Sequence, residues 1–261
     1  MVRILSGLVL LFVVVGGIWF LSPFELLLLA EIVLVLGFLE YASLAARLGA
    51  PIPKLAAGTA AVATCAAIGW PGLPVEVPMM AALIALAAIA IGSGSPGPAV
   101  LHRISVSLFP AIWLGLPLGA LVAIRWLAGR EVVLLLLVTI IVSDTAQYYS
   151  GSVFGKRRLA PAISPGKTIE GAAGGFAGGV AALAIAGAWW LPSVGTISLA
   201  ALGAVVVALG ILGDLFESLL KRSAEVKDTS GLIPGHGGVL DRIDSLLFAV
   251  PAYYFFVRYL A

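Results

Sequence analysis

The chain has 261 residues, of which 61% are hydrophobic and 11% charged, with a mean hydropathy of +1.14 and a net charge of +2. A soluble domain is about 45–50% apolar, so this composition excludes a water-soluble globule of ordinary surface. So small a net charge also argues against nucleic acid as a partner.

What remains is a chain for the lipid bilayer. Backbone polar groups in hydrocarbon must be satisfied within the segment, which leaves helices or closed barrels. The apolar runs here are long and unbroken instead of alternating, so the expected fold is an all-α, polytopic integral membrane helix bundle. At about 20 residues per crossing, nine segments are expected near 4–22, 24–46, 54–70, 78–93, 104–124, 131–152, 170–191, 197–220 and 244–260.

The start, MVRILSGLVLLFVVVGGIWFLSP, is basic and then apolar like a signal peptide. It lacks a small-x-small cleavage site and its apolar run is long enough to span, so a retained first helix is expected. Ser22-Pro23 joins it tightly to the second segment, as in a helical hairpin. The third segment is short and rich in Ala and Gly. It holds the single cysteine, Cys65, expected to be a small buried residue. GSGSPGPAV, after the fourth segment, has the composition of a flexible linker. Eleven of the fifteen Lys and Arg residues fall in the loops after the second, fourth, sixth and eighth segments. These are Arg47, Lys54, Arg103, Lys156, Arg157, Arg158, Lys167, Lys221, Arg222, Lys227 and Arg242. Arg3, Arg125, Arg130 and Arg258 lie opposite, and this bias places the even-numbered loops in the cytoplasm.

Two of those loops carry dense chemistry. The first is SDTAQYYSGSVFGKRRLAPAISPGKTIEG, Ser143 to Gly171. Asp144 lies within an apolar helix, where a carboxylate costs roughly 2.5–3.5 kcal/mol, so it is expected to face a polar interior with Tyr148 one turn on. Lys156, Arg157 and Arg158 form a basic run suited to anionic headgroups. Ser164 or Thr168 is expected to cap the seventh helix, with Glu170 in its first turn, and Lys167 beside that end makes an anion site. SPGKT is no Walker loop: Pro161 stands where the pattern needs Gly, and no strand is expected before it. GAAGGFAGG that follows has glycines four apart, the spacing of close helix packing.

The second loop follows GDLFESLLKR. Asp214, Glu217, Ser218 and Lys221 stack on one helical face, and Asp241, Asp244 and Ser245 repeat the spacing at the ninth segment. Clustered carboxylates beside Lys and Arg suit Mg²⁺ held jointly with substrate phosphates. Gly235, Gly237 and Gly238 would let backbone N–H groups approach an anion. A lone His236 with so few His and Cys residues makes zinc a poor fit.

Ser218-x-x-Lys221-Arg222-x₄-Lys227-Asp228, then Ile233-Pro234-x-His236-Gly237-Gly238-Val239-x-Asp241-Arg242-Ile243-Asp244, resembles the signature of the CDP-diacylglycerol synthases, or phosphatidate cytidylyltransferases. Asp144-Thr145-Ala146 and Ser164-Pro165-x-Lys167-Thr168-x-Glu170-Gly171 resemble the same family, with Gly166 where a second basic residue is common. The similarity covers the C-terminal half from about Ser143; the N-terminal half is similar only in spanning repeatedly. The resemblance implies an integral membrane nucleotidyltransferase joining CTP and phosphatidic acid, with Mg²⁺ and room for a second cation. It divides the chain into N-terminal transmembrane helices, 1–130, and a catalytic membrane region, 131–261. Asp214, Asp241 and Asp244 are then the expected metal ligands, and Lys167, Lys221 and Arg222 catalytic cations. Asp144, Lys156, Ser164, Thr168, Ser218, Lys227, Asp228, His236, Gly237, Gly238 and Arg242 are expected around the substrates. A homo-oligomer is one assembly open to such a chain. A CTP-dependent lipid-alcohol kinase and an ion-coupled transporter are the rival readings; the one-sided charge and absent inverted repeat weigh against the transporter.

Overall fold

The computed structural model describes residues 2–94 and 96–260, with nothing said of the side chains of residues 2–5 and 8. The Arg3 charge and Ser95 of the linker therefore lie outside the described side chains. The helices in chain order are α1 (Val2–Phe20), α2 (Pro23–Arg47), α3 (Lys54–Gly69), α4 (Glu76–Gly92), α5 (Ala99–Ala128), α6 (Arg130–Phe154), α7 (Ile169–Trp190), α8 (Thr196–Ser223) and α9 (Leu240–Tyr259). The all-α architecture is as expected from the unbroken apolar runs.

Five of these, α2, α5, α6, α7 and α8, are long and apolar enough to cross a membrane. Among the described residues α1, α3, α4 and α9 do not meet that standard. At 1.5 Å per residue, the 16 residues of α3 reach about 24 Å, short of a hydrocarbon core of about 30 Å. α9 is long enough, but Asp241, Arg242, Asp244 and Arg258 make it too polar.

Local sequence explains the helix ends. Ser22 and Glu25 form a reciprocal capping box around Pro23, with Ser22 N to Glu25 Oε2 at 2.7 Å and Glu25 N to Ser22 Oγ at 3.3 Å. Two of the orphan amides of α2 are satisfied there. α5 bends through a π-turn over Ala111–Gly115, just after Pro110 removes a backbone donor.

The chain forms two compact units, Met1–Ala123 with Ser223–Arg242, and Ile124–Arg222 with Ile243–Ala261. The sequence reading divided the chain at residue 130, whereas here the loop Ser223–Arg242 joins the N-terminal unit. In that first unit, α3 lies close against α5. A Cβ on Gly115 would meet Ala61 O at 2.7 Å, and one on Gly119 would meet Cys65 O at 2.5 Å. Cys65 is fully buried there, as its small size predicts.

In the second unit the α7 glycines meet α6. A Cβ on Gly171 would stand 2.9 Å from Gln147 O, one on Gly175 2.8 Å from Ser143 O, and one on Gly178 2.9 Å from Ala146 Cβ. The GAAGGFAGG spacing is therefore a packing seam. Gly203 of α8 faces Val180, and Gly210 and Gly213 of α8 face Ser245 and Asp244 of α9. The fully buried Tyr253 donates its hydroxyl to Val132 O at 2.9 Å, tying α9 to α6.

A short antiparallel hairpin, β1 (Arg158–Ala160) and β2 (Ser164–Thr168), fills the loop between α6 and α7. No strand was expected here, because three residues before a Pro-Gly segment leave too little alternation to detect. β2 is the SPGKT segment itself, so Ser164 lies in a strand and does not cap a helix. Thr168 does, its hydroxyl accepting from Gly171 N at 3.1 Å.

Candidate active site

The predicted residues fall into two groups, one in each unit. In the first unit, the loop between α8 and α9 folds over its own backbone. Ile233 N donates to Gly237 O and His236 N to Ile233 O, both at 2.9 Å. Gly235 and Gly237 hold φ of +77° and +81° to close this turn, a conformation costly for residues with a Cβ. The loop encloses a cavity of about 540 Å³ lined by Lys227, Asp228, Ser230, His236, Gly237 and Arg242, among others. Lys227, Asp228 and Arg242 are exposed at its wall, where an anion can reach them.

His236 is fixed by a residue from the start of the chain. Its Nδ1 lies 2.8 Å from Ser6 Oγ, and Ser6 Oγ lies 3.0 Å from Pro234 O. A serine has one proton to donate. If it goes to Pro234 O, His236 Nδ1–H must donate to Ser6, which assigns the tautomer and leaves Nε2 as an acceptor.

Of the three glycines expected to bring N–H groups to a substrate anion, Gly238 has a partner within the protein. Gly238 N donates to Asp241 Oδ2 at 2.7 Å, and Thr229 N donates to the same oxygen at 3.0 Å. The Thr229 hydroxyl bridges Asp241 Oδ2 and Glu40 Oε2, 2.9 Å from each. Asp241 is 8% exposed. Its Oδ2 is thus engaged by the loop, which makes Asp241 an anchor for that segment. Gly238 N thus serves a carboxylate of the protein.

Glu40 was missed altogether in the sequence. It is 6% exposed, projects from α2, and accepts from Ser230 Oγ at 2.6 Å, Val239 N at 2.9 Å and Leu240 N at 2.8 Å besides Thr229. The available signal was its setting, LVLGFLEYASL, since an acidic residue inside a membrane helix has a functional or structural partner by default.

In the second unit, the charges gather where α8, α9, α6 and β2 meet. Lys167 Nζ engages Asp214 Oδ2, and Lys221 Nζ engages Glu217 one turn earlier on α8. Glu217 is fully buried. Ser218 Oγ donates to Asp214 Oδ1 at 3.4 Å. Asp214, Lys221 and Asp144 are the charged groups whose fields act on the Asp244 carboxylate. Asp244 Oδ1 accepts its neighbour Ser245 N at 2.7 Å. Asp144, Lys167, Asp214, Ser218, Lys221 and Asp244 thus lie in the same unit, with Asp144 exposed on α6 and not enclosed.

Four further residues have partners within the protein. Lys156 and Arg157 donate backbone N–H groups to Glu170 Oε2 at 3.0 and 3.1 Å, which pins the basic run while its side chains stay exposed. Thr168 is buried, with its hydroxyl at the α7 cap. Arg222 Nε donates to Ile163 O at 3.3 Å, holding the hairpin to the end of α8.

The residues of the second unit fit a magnesium ion by their chemistry. Asp144, Asp214, Glu217 and Asp244 outnumber Lys167 and Lys221, leaving negative charge for a cation to offset. Among the described residues no three His, Cys, Asp or Glu side chains form a ready ligand set. Mg²⁺ does not require one, because it commonly uses one or two carboxylates with substrate phosphates and waters.

Comparison with known proteins gives a consistent family. Residues 1–260 match the profile described as the cytidylyltransferase family. A phosphatidate cytidylyltransferase of Pseudomonas aeruginosa is 35% identical over 262 residues, covering 96% of this chain and 94% of that one. That of Haemophilus influenzae is 49% identical over 136 residues, 48% of this chain and 46% of its own. That of Bacillus subtilis is 41% identical over 150 residues, 56% of this chain and 55% of its own. These two shorter matches span about half the length of those relatives. The full-length matches extend the likeness into the N-terminal half, which the sequence motifs alone did not reach.

Proposed function

This chain belongs to the cytidylyltransferase family, and we infer that within it the protein is a phosphatidate cytidylyltransferase. It is a multi-pass membrane enzyme that converts CTP and phosphatidic acid to CDP-diacylglycerol and pyrophosphate. The observation that carries the reading is the set of cations held ready for phosphate: Lys227 and Arg242 at the loop cavity, and Lys167 and Lys221 in the second unit.

An oxygen of the lipid phosphate attacks the α-phosphorus of CTP, and the bond to the β-phosphate oxygen breaks as pyrophosphate leaves with its electron pair. A phosphate monoester has a second pKa of about 6, so the nucleophile is already largely ionised at neutral pH. Little general-base help is needed. The demand is for positioning and charge neutralisation between two polyanions. The loop cavity, with Ile233 its one aliphatic residue, suits the triphosphate better than an acylated lipid, and Lys227 and Arg242 clamp it there. Lys167 and Lys221 are kept in place by Asp214 and Glu217, so their charges are preorganised.

Asp214 and Asp244 would hold a magnesium ion, and such an ion supplies Lewis-acid neutralisation of phosphate oxygens. The excess of Lys and Arg on one side supports cytoplasmic active-site loops, and the bacterial relatives support the inner membrane.

The purified protein is expected to form labelled CDP-diacylglycerol and pyrophosphate from radiolabelled CTP and phosphatidic acid in detergent micelles. Formation of CDP with a diphosphorylated lipid would instead identify a kinase and overturn the assignment.

A further inference from the structure

We propose that Glu40 is a positioning residue for cytidylyl transfer, holding the nucleotide-binding loop in register from a distant membrane helix. The proposal rests on the cytidylyltransferase reading and extends it to a residue outside the signature segments. Glu40 does not itself line the cavity, yet its carboxylate gathers four donors from the loop that forms it, one of them the cavity-lining Ser230. Oε1 accepts from Ser230 Oγ and Val239 N, and Oε2 from Thr229 Oγ1 and Leu240 N. Two of these lie just after Asp228 at one end of the loop. The other two lie at the start of α9, immediately before Asp241 and Arg242. One buried side chain thus clamps both ends of the segment that carries Asp228, His236 and Arg242.

The charge of Glu40 matters as well as its reach. Val239 N and Leu240 N stand at the α9 N-terminus, where unpaired amides and the helix dipole favour an anion. Glu40 is that anion. With Asp241 Oδ2 taking Gly238 N, these amides are satisfied within the protein and a substrate phosphate is left to side-chain cations. Glutamine cannot replace it. Whichever carboxylate oxygen becomes the amide NH₂, it faces a backbone N–H, from Val239 on one side and Leu240 on the other, and neither can reverse its polarity as a hydroxyl can.

The test is Glu40→Gln in the full-length protein in detergent micelles, read by steady-state kinetics, CTP binding and amide hydrogen exchange. Loss of supporting hydrogen bonds around an active site typically costs about 10–100-fold. kcat/KM for CTP is expected to fall by that factor with the KM for phosphatidate unchanged. Exchange protection at Val239 and Leu240 is expected to be lost while α6 and α7 keep theirs. Turnover within about twofold of the parent overturns the proposal. So does loss of protection throughout the chain with equal damage to both substrates, which marks a purely structural residue. If Glu40→Gln does not fold, Thr229→Val removes only the bridging hydroxyl. It is expected to lose several-fold in kcat/KM for CTP, and a parental value overturns the proposal. A parent protein that makes no CDP-diacylglycerol would refute the assigned function instead, while CTP binding and exchange at Val239 and Leu240 still decide what Glu40 does.

Discussion

Gly238→Ala probes the loop where steric and electrostatic demands coincide. An added Cβ would stand 2.5 Å from both carboxylate oxygens of Glu40, and closer still to Thr229 Oγ1. Real Cβ contacts do not fall below 3.0 Å, so the carboxylate must retreat by at least 3.0 − 2.5 = 0.5 Å. It has little freedom to do so, being held by Val239 N at 2.9 Å and Leu240 N at 2.8 Å. Losing one or two hydrogen bonds to a charged group, at about 1.5–3 kcal/mol each, destabilises the protein by about 1.5–6 kcal/mol. A shift approaching 1 Å in a residue that positions substrate costs up to about 10²-fold in rate. Thermal unfolding in detergent measures the first effect, and turnover of CTP at saturating phosphatidate measures the second. A variant that melts with the parent and turns over within about twofold of it would refute the packing of Gly238 against Glu40 and Thr229.

Asp244→Asn is expected to lower turnover by at least about tenfold in a protein that remains folded, and near-parental rates would remove Asp244 from the metal site. Chelation of divalent cations should abolish activity and added Mg²⁺ restore it, whereas full activity in excess chelator would refute metal dependence. Lys227→Ala removes a charge-assisted contact worth about 1.5–3 kcal/mol, so the KM for CTP should rise by about 10–100-fold with the fold intact; an unchanged KM would move the triphosphate out of the loop cavity. Gly175→Ala places a Cβ 2.8 Å from Ser143 O and is expected to cost about 1–3 kcal/mol by overpacking, seen as a lower melting temperature, while an unaltered melt would contradict the α6–α7 seam.

Much of the fold was legible because apolar runs report helices directly. The π-turn in α5 and the hairpin between α6 and α7 were not, since both are local adjustments made around Pro residues and tertiary neighbours. Apolarity marks a segment as buried or lipid-facing, and length then separates the long helices from the shorter α3 and α4. At the candidate site, the same-face spacing of Asp214, Ser218 and Lys221 correctly forecast their association on α8. Asp241 and Asp244 are spaced i, i+3. Both lie in the first turns of α9, yet Asp241 Oδ2 answers to Thr229 and Gly238. Glu40 escaped because its partners lie some 190–200 positions away, beyond any local pattern.

That separation has a consequence for biosynthesis. At roughly 5–20 residues per second, the ribosome supplies Leu240 about 10–40 seconds after Glu40. Until then the carboxylate resides in α2 without its loop donors. Arrival of the α8–α9 loop supplies them and shapes the cavity in one event. The second membrane helix is therefore left incomplete by design until the last helix is made, and a nascent chain lacking its C-terminal segment has no assembled loop with which to engage CTP.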